Sequence, residues 1–269
     1  MRVRGVTSQL QVYGIRVANK KLNSIRIRLL RNARPLTVTS QSHPTNWLLS
    51  STQGRLSKRN ANKFLLGSIL DYQIPGDLAW ENTRRLAEEI FDDPVDLWEQ
   101  ITSIPRSNWK NKWRKYNLHR FPAAHDRVWR IGKEIVLHYN GDAREIWKNQ
   151  TSDIALQRLR DLRVGKQLSR MIVGSLIDAG HVHGTGDIKV DRHIRRSLGR
   201  LLIGRGFSER EADEVTKVTR RMYPSNPWVL DWPLYLLATE ICIIHKPKCA
   251  KCEFRKYCRY FRRHQGRNR

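Results

Sequence analysis

The sequence predicts an all-α protein, and three observations carry that prediction. From about residue 60 onward apolar residues recur at helical rather than alternating spacing. The runs are punctuated by capping residues, glycines and prolines where helices would start and stop. No repeated strand–turn–strand pattern follows residue 60. A chain of 269 residues, 39% hydrophobic and with nine tryptophans, can bury one good core or two modest lobes sharing a cleft.

Residues 1–57 stand apart from the rest: they are rich in Lys and Arg and poor in acids. Two alternating runs, Leu10–Ile15 and Ile25–Leu30, flank the polar stretch Asn19–Ser24. Period-two alternation predicts a short β-hairpin, with a basic, partly disordered arm as the competing reading. Next, Phe64, Leu65, Ser68, Ile69 and Tyr72 share one helix face, and Pro75-Gly76 ends the run. A second helix is expected over Asp77–Phe91. A third is expected over Asp93–Ser103, with Asp93 as N-cap and Pro94 at its first position. Ala124–Tyr139 forms a long amphipathic helix stopped at Asn140-Gly141. Further helices are expected over Thr151–Arg160, Lys166–Ala179, Asp191–Leu202, Glu209–Met222 and Asp231–Ile241. In NWKNKWRKY, Trp109 and Trp113 interleave with Lys110, Lys112, Arg114 and Lys115. That pattern suits helix packing or the stacking of single-stranded bases.

Lys and Arg number 51 against 25 Asp and Glu, a formal charge of +26. Self-repulsion of that size is tolerated most easily when the working partner is a polyanion, because neutralised phosphates release condensed counterions. Nucleic acid leads on charge, ahead of ribosomal or membrane-surface binding. No run approaches the roughly 18–20 apolar residues needed to span a bilayer, and the start, MRVRGVTSQLQVYG, lacks an apolar signal core. The expected location is the reducing cytoplasm, at the nucleoid, where clustered cysteines point to a metal rather than to disulfides.

All four cysteines lie close to the C-terminus: Cys242, Cys249, Cys252 and Cys258, in the pattern C-x6-C-x2-C-x5-C. A four-thiolate metal site follows, and by ligand type zinc and an iron–sulfur cluster are both open. Zinc sites commonly show two close pairs, whereas here a single CxxC is flanked by loops of six and five residues. Lys246, Lys248, Lys251, Arg255 and Lys256 stand between the ligands and would face solvent, where they can meet phosphates.

Upstream, Val164-Gly165-Lys166 separates two helical patterns. Glycine there lets the backbone approach a partner closely, and the next helix offers free N–H groups to an anion. Taken alone, a glycine between helices is usually only a turn. Val190-Asp191-Arg192-His193-Ile194 follows, with Asp191 a sound N-cap for the helix after it. Between these motifs, His181, His183, Gly184, Gly186 and Asp187 read as a mobile loop, or less readily as a metal site.

Taken together, these motifs resemble the helix-hairpin-helix DNA glycosylases of the endonuclease III type. The resemblance covers about residues 60–262: a glutamine-bearing early helix, the hairpin followed by V-D-x-H-[IV], and the Cys-x3-Lys-Pro-x-Cys frame of ICIIHKPKCAKCEFRKYCRYF. It implies two helical lobes flanking a DNA-binding cleft: a basic extension at 1–57, a lobe carrying the hairpin at 58–180, and a cluster lobe at 181–269 that packs with part of the N-terminal segment. It implies a [4Fe–4S] cluster, structural and DNA-positioning in role, on Cys242, Cys249, Cys252 and Cys258. Val164, Gly165, Lys166, Gln167, Lys248 and Lys251 would contact DNA. Gln73 would fill the gap left by an extruded base, and Asp71, Tyr72 and Ser68 would line its pocket. Tyr72 reads equally well as core.

The resemblance assigns catalysis to Asp191, whose carboxylate would stabilise an oxocarbenium-like sugar and orient or deprotonate a water. Bifunctional members carry a lysine two residues after the last hairpin glycine, where this chain has Gln167. Lys166 is one residue earlier, about 100° around the helix, and Arg163 replaces the first hairpin glycine. A glutamine cannot be a covalent nucleophile. The implied activity is therefore a monofunctional glycosylase, acting as a monomer on double-stranded DNA that holds a damaged or modified base, with no membrane involved. The competing readings are an iron–sulfur DNA-binding protein without catalysis, and a glycosylase/lyase using Lys166.

Overall fold

Helix α1 (Asn19–Asn32) buries Leu22, Ile25 and Leu29 along one stripe in the computed structural model, which describes residues 17–32, 47–48 and 56–264. The expected hairpin is thereby corrected. Ile25, Ile27 and Leu29 alternate, yet Ile27 is 45% exposed, because the face that finds a core is the three-and-four-residue one through Leu22. Leu10–Ile15 lies outside the described residues. Arg221 donates to the Val17 carbonyl and to Asn19 Oδ1, at 2.8 and 2.9 Å, and so fastens the start of α1. The segment is a core element and not only a basic arm.

All regular structure among the described residues is helical. Ser57 caps α2 (Lys58–Leu70), its hydroxyl accepting the Asn60 N–H at 3.1 Å. Against it packs α3 (Gly76–Arg84), which continues as a π-helical turn, Arg85–Ile90. The approach is close: a Cβ on Gly67 would stand 2.2 Å from the Trp80 ring. Then come α4 (Leu97–Ser103), α5 (Arg106–Lys115), α6 (Ala124–Tyr139), α7 (Arg144–Trp147), α8 (Ser152–Asp161) and α9 (Lys166–Asp178). Asn140 ends α6 in the left-handed conformation, φ +51°, as its sequence signal predicts. Asp93 is not an N-cap. It sits at φ +50°, with its carboxylate 2.9 Å from the Nζ of buried Lys63, and α4 begins only at Leu97. Neutralising a buried ammonium outweighs a cap. Trp109 and Trp113 are buried, so their spacing is packing.

The second half adds α10 (Arg192–Leu202), α11 (Ala212–Met222), α12 (Asp231–Leu236) running into a π-helical turn at Leu237–Ile241, and α13 (Arg259–His264). Buried side chains form two clusters. One is built on α2–α9 and runs on to Val182. The other joins α1 to α10, α11 and α12 and takes in Ile188, Phe254 and Cys258. The chain crosses between them at residues 183–187. The sequence predicts mobility for that loop, yet the structure pins it. Asp187 pairs with Arg170 and Arg220, Gly186 N–H donates to Asn226 Oδ1, and the Gly186 carbonyl accepts from Trp228 N–H. His181 is engaged with the Leu48 carbonyl, while Asp187 is taken up by Arg170 and Arg220.

Candidate active site and cluster loop

The hairpin places Asp191. At the end of α8, Val164 N–H bonds to the Leu159 carbonyl and Arg163 N–H to the Arg160 carbonyl, a Schellman closure. Its left-handed residue is Arg163, φ +58°, so the backbone keeps a glycine-type conformation without a glycine. Gly165 follows at φ +94°, and the first N–H groups of α9 are left without intrahelical acceptors beside an exposed surface. Buried Val164 anchors the turn, and its carbonyl accepts from the Arg127 guanidinium. Lys166 turns away to Asp213 on α11, Nζ to Oδ1 2.6 Å. Gln167 faces the other way: its Oε1 accepts the Val190 N–H at 2.7 Å. Asp191 caps α10, Oδ1 accepting from His193 N–H at 2.7 Å and Ile194 N–H at 2.9 Å, and its side chain remains partly exposed. The resulting group is a part-exposed carboxylate at a helix N-terminus, oriented by two backbone donors.

Around it lies a charge cluster absent from the sequence expectations. Lys189 Nζ is 2.7 Å from Asp71 Oδ2 and 3.3 Å from Met171 Sδ, while Lys189 N–H donates to Asp231 Oδ1 at 2.8 Å. Burial pushes the Asp231 carboxyl up to about 7, with the Asp191 charge adding to the shift and Lys189 opposing it. Asp71 is likewise raised by burial, against the pull of Lys189. For Lys189, burial works against the charge, but Asp71, Asp191 and Asp231 outweigh it and raise its pKa. The amine is therefore held as an ammonium. Tyr235, stacked on Trp232 and edge-on to His193, is raised by burial and by Asp191, Asp77 and Asp71.

Beyond Asp71 the chain makes an exposed turn. Tyr72 is 42% exposed, which removes it from the core, and Gln73 is exposed at φ +55°. Gln73 Nε2 donates to Tyr72 Oη at 3.1 Å. A second loop supports the turn: His119 Nε2 meets the Tyr72 carbonyl at 3.1 Å and Arg120 donates to the Gln73 carbonyl. Phe121 lies 6.0 Å from the Tyr72 ring, and Arg127 lies 5.1 Å over it. His119 Nδ1 accepts Phe121 N–H, and burial lowers its pKa, so the ring works as a neutral donor–acceptor. Sequence reasoning missed Lys189, Asp231 and this His119–Arg127 loop. The basic-aromatic string HRFP was the available signal. Ser68, by contrast, is buried within α2, bonded to the Phe64 carbonyl, and lines nothing.

The cysteine loop wraps the end of α10. Arg196 donates to the carbonyls of Cys242 and Ala238, both at 2.9 Å, and Arg200 donates to those of Ile243 and Ile244 at 2.7 and 2.8 Å. Arg200 also approaches Cys242 Sγ at 3.6 Å, and Phe261 N–H points to Cys258 Sγ at 3.5 Å. Cys258 is buried and the other three are half-buried. Burial pushes Cys252 up to about 11 and raises Cys249 and Cys258. In such a shell the thiols stay protonated unless a metal centre holds them as thiolates. No three His, Cys, Asp or Glu side chains among the described residues close around a single ion. Lys246, Lys248, Lys251, Arg255 and Lys256 all face solvent.

No family model matches the chain, and no curated protein does. Solved structures do. A trapped covalent intermediate of endonuclease III with DNA, an estranged-adenine complex, is 17% identical over 94% of this chain and 100% of that one, TM-score 0.63. A non-covalent endonuclease III–DNA complex is 16% identical over 93% and 100%, TM-score 0.63. A thermostable thymine-DNA glycosylase is 15% identical over 91% and 98%, TM-score 0.54. No helix among the described residues is long and apolar enough to cross a membrane. The chain has the fold of endonuclease III.

Proposed function

We propose that this protein is a monofunctional DNA glycosylase of base excision, which extrudes a damaged or modified base and hydrolyses its N-glycosidic bond. The observation that carries the reading is the Gln167–Val190–Asp191 arrangement. The hairpin side chain where a nucleophilic lysine would act is a glutamine bonded to the backbone just before the carboxylate. Asp191, fixed by two N–H donors, would stabilise positive charge on the sugar and take a proton from the attacking water. The endonuclease III neighbour was captured as a covalent intermediate with DNA. Here Lys166 points to Asp213 on the exposed surface and Lys189 is tied to Asp71, so neither side chain occupies the position of Gln167.

The shared fold and the +26 charge support duplex DNA as the partner, met by a monomer in the cytoplasm. The free N–H groups after Gly165 would take a phosphate, exposed Lys248 and Lys251 would take others, Gln73 would fill the emptied stack, and Tyr72 would line the pocket of the extruded base. In this reading lobes 58–180 and 181–269 flank the cleft. Cys242, Cys249, Cys252 and Cys258 would hold a [4Fe–4S] cluster, which would staple the loop covalently. The test is strand integrity in a modified-base duplex after incubation. Breaks appearing only after alkali, with no borohydride-trapped adduct, support a monofunctional enzyme. Breaks without alkali that disappear in Lys166→Ala would establish the lyase instead.

A further inference from the structure

Lys189 is the charged group that the Asp191 chemistry leaves unexplained. Its head lies between the turn that carries Tyr72 and Gln73 and the face of α9 shared by Gln167 and Met171, four residues apart. Asp71 takes one of its N–H groups and Met171 sulfur faces another. One Lys189 N–H and Asp71 Oδ1 have no hydrogen-bond partner among the described residues. Both side chains keep some exposure, 19% for Lys189 and 13% for Asp71. A donor and an acceptor with spare valence thus stand side by side, two residues from the carboxylate assigned to the sugar.

An extruded base that reached the exposed edge of this pair would meet a hydrogen-bond donor that carries a positive charge. We propose that Lys189, held by Asp71, contacts the departing base and stabilises it as an anion, so that the substrates are bases with a lactam or imide edge of the uracil and thymine class. This deepens, and rests on, the glycosylase reading. When the C1′–N bond breaks, its electron pair goes to the base and spreads onto a ring carbonyl oxygen. Water adds through oxygen to C1′, and its proton passes to the Asp191 carboxylate. A positioned ammonium then acts as an oxyanion donor would. Asp71 Oδ1 accepts the adjacent ring N–H, which matches a C=O next to an N–H. The same charge repels bases that leave as neutral species from a cationic, N-alkylated form.

The experiment measures single-turnover release from duplexes carrying thymine, uracil, 5-bromouracil and 5-fluorouracil, a series of improving leaving groups, beside N-alkylated purines and adenine. The wild type is expected to release the pyrimidine-diones with a shallow dependence on leaving-group quality. Lys189→Met is expected to slow thymine or uracil by about 10²- to 10³-fold and the best leaving group far less, steepening the dependence. Lys189→Arg should restore part of the rate. If Lys189→Met unfolds, Asp71→Asn/Lys189→Met removes both charges and keeps the comparison. Uniform slowing across the series, or release confined to alkylated purines, overturns the proposal while leaving an Asp191-dependent glycosylase intact. Release of no base by the wild type overturns the glycosylase reading itself.

Discussion

Oε1 of Gln167 accepts the Val190 N–H at 2.7 Å, so the hairpin helix positions the backbone one residue before Asp191. Gln167→Ala removes that bond and leaves a buried N–H unpaired, a loss of about 1–2 kcal/mol in positioning. Base release is expected to fall about tenfold, more than DNA affinity falls. Lys166→Ala, which breaks only an exposed pair with Asp213, should leave release unchanged. Rapid-quench rates on the two variants check both statements.

Asp231 makes stability fall with rising pH. Its carboxyl binds a proton more tightly in the fold, at about 7, than in the unfolded chain, near the ordinary aspartate value of 3.8. Between those values the native state holds the extra proton, so unfolding free energy decreases as pH rises through the window, by at most about 4 kcal/mol. Asp231→Asn keeps an oxygen for Lys189 N–H but cannot ionise. Chemical denaturation from pH 4 to pH 8 should show a flatter profile for the variant, which becomes the more stable protein at pH 8.

Removing one cysteine tests the metal centre. Cys252→Ser is expected to lose iron and acid-labile sulfide together and to free the loop that Arg196 and Arg200 otherwise clamp. A stability loss of about 3 kcal/mol or more corresponds to a fall in Tm of roughly 6–12 °C for a chain of this size. Metal analysis and thermal melts are the readouts. Zinc without sulfide in the purified wild type contradicts the cluster assignment.

Lys248 and Lys251 face solvent on the cysteine loop. Replacing each with Gln is expected to reduce the slope of log affinity against log salt by about 1 for every phosphate left without its lysine. Single-turnover release at saturating enzyme should be unchanged. Fluorescence anisotropy from low to moderate salt measures the slope.

Much of the fold was legible because most helices announce themselves locally. Asn140-Gly141 stops α6, and Gly165 opens α9, as their residue types require. Readings failed where a distant partner decided. Ile25–Leu30 alternates like a strand, but α11 and α12 offer a core that only a helical face can fill. Asp93 reads as a cap until Lys63, thirty residues away, claims its carboxylate. The same holds at the site. Asp191 and the cysteines sit in contiguous motifs, whereas Lys189 and Asp71 are 118 residues apart and acquire their meaning only on contact.

Whether Asp191 performs glycosidic hydrolysis is decided by single-turnover base release from a panel of modified duplexes, run with wild type and Asp191→Asn. Asparagine caps a helix as well as aspartate does, so α10 and the melting temperature should be preserved. Without the carboxylate, release should fall by about 10³-fold or more while DNA binding persists. A variant that releases base at the wild-type rate, or a wild type that binds DNA but releases no base, would contradict the assignment of Asp191.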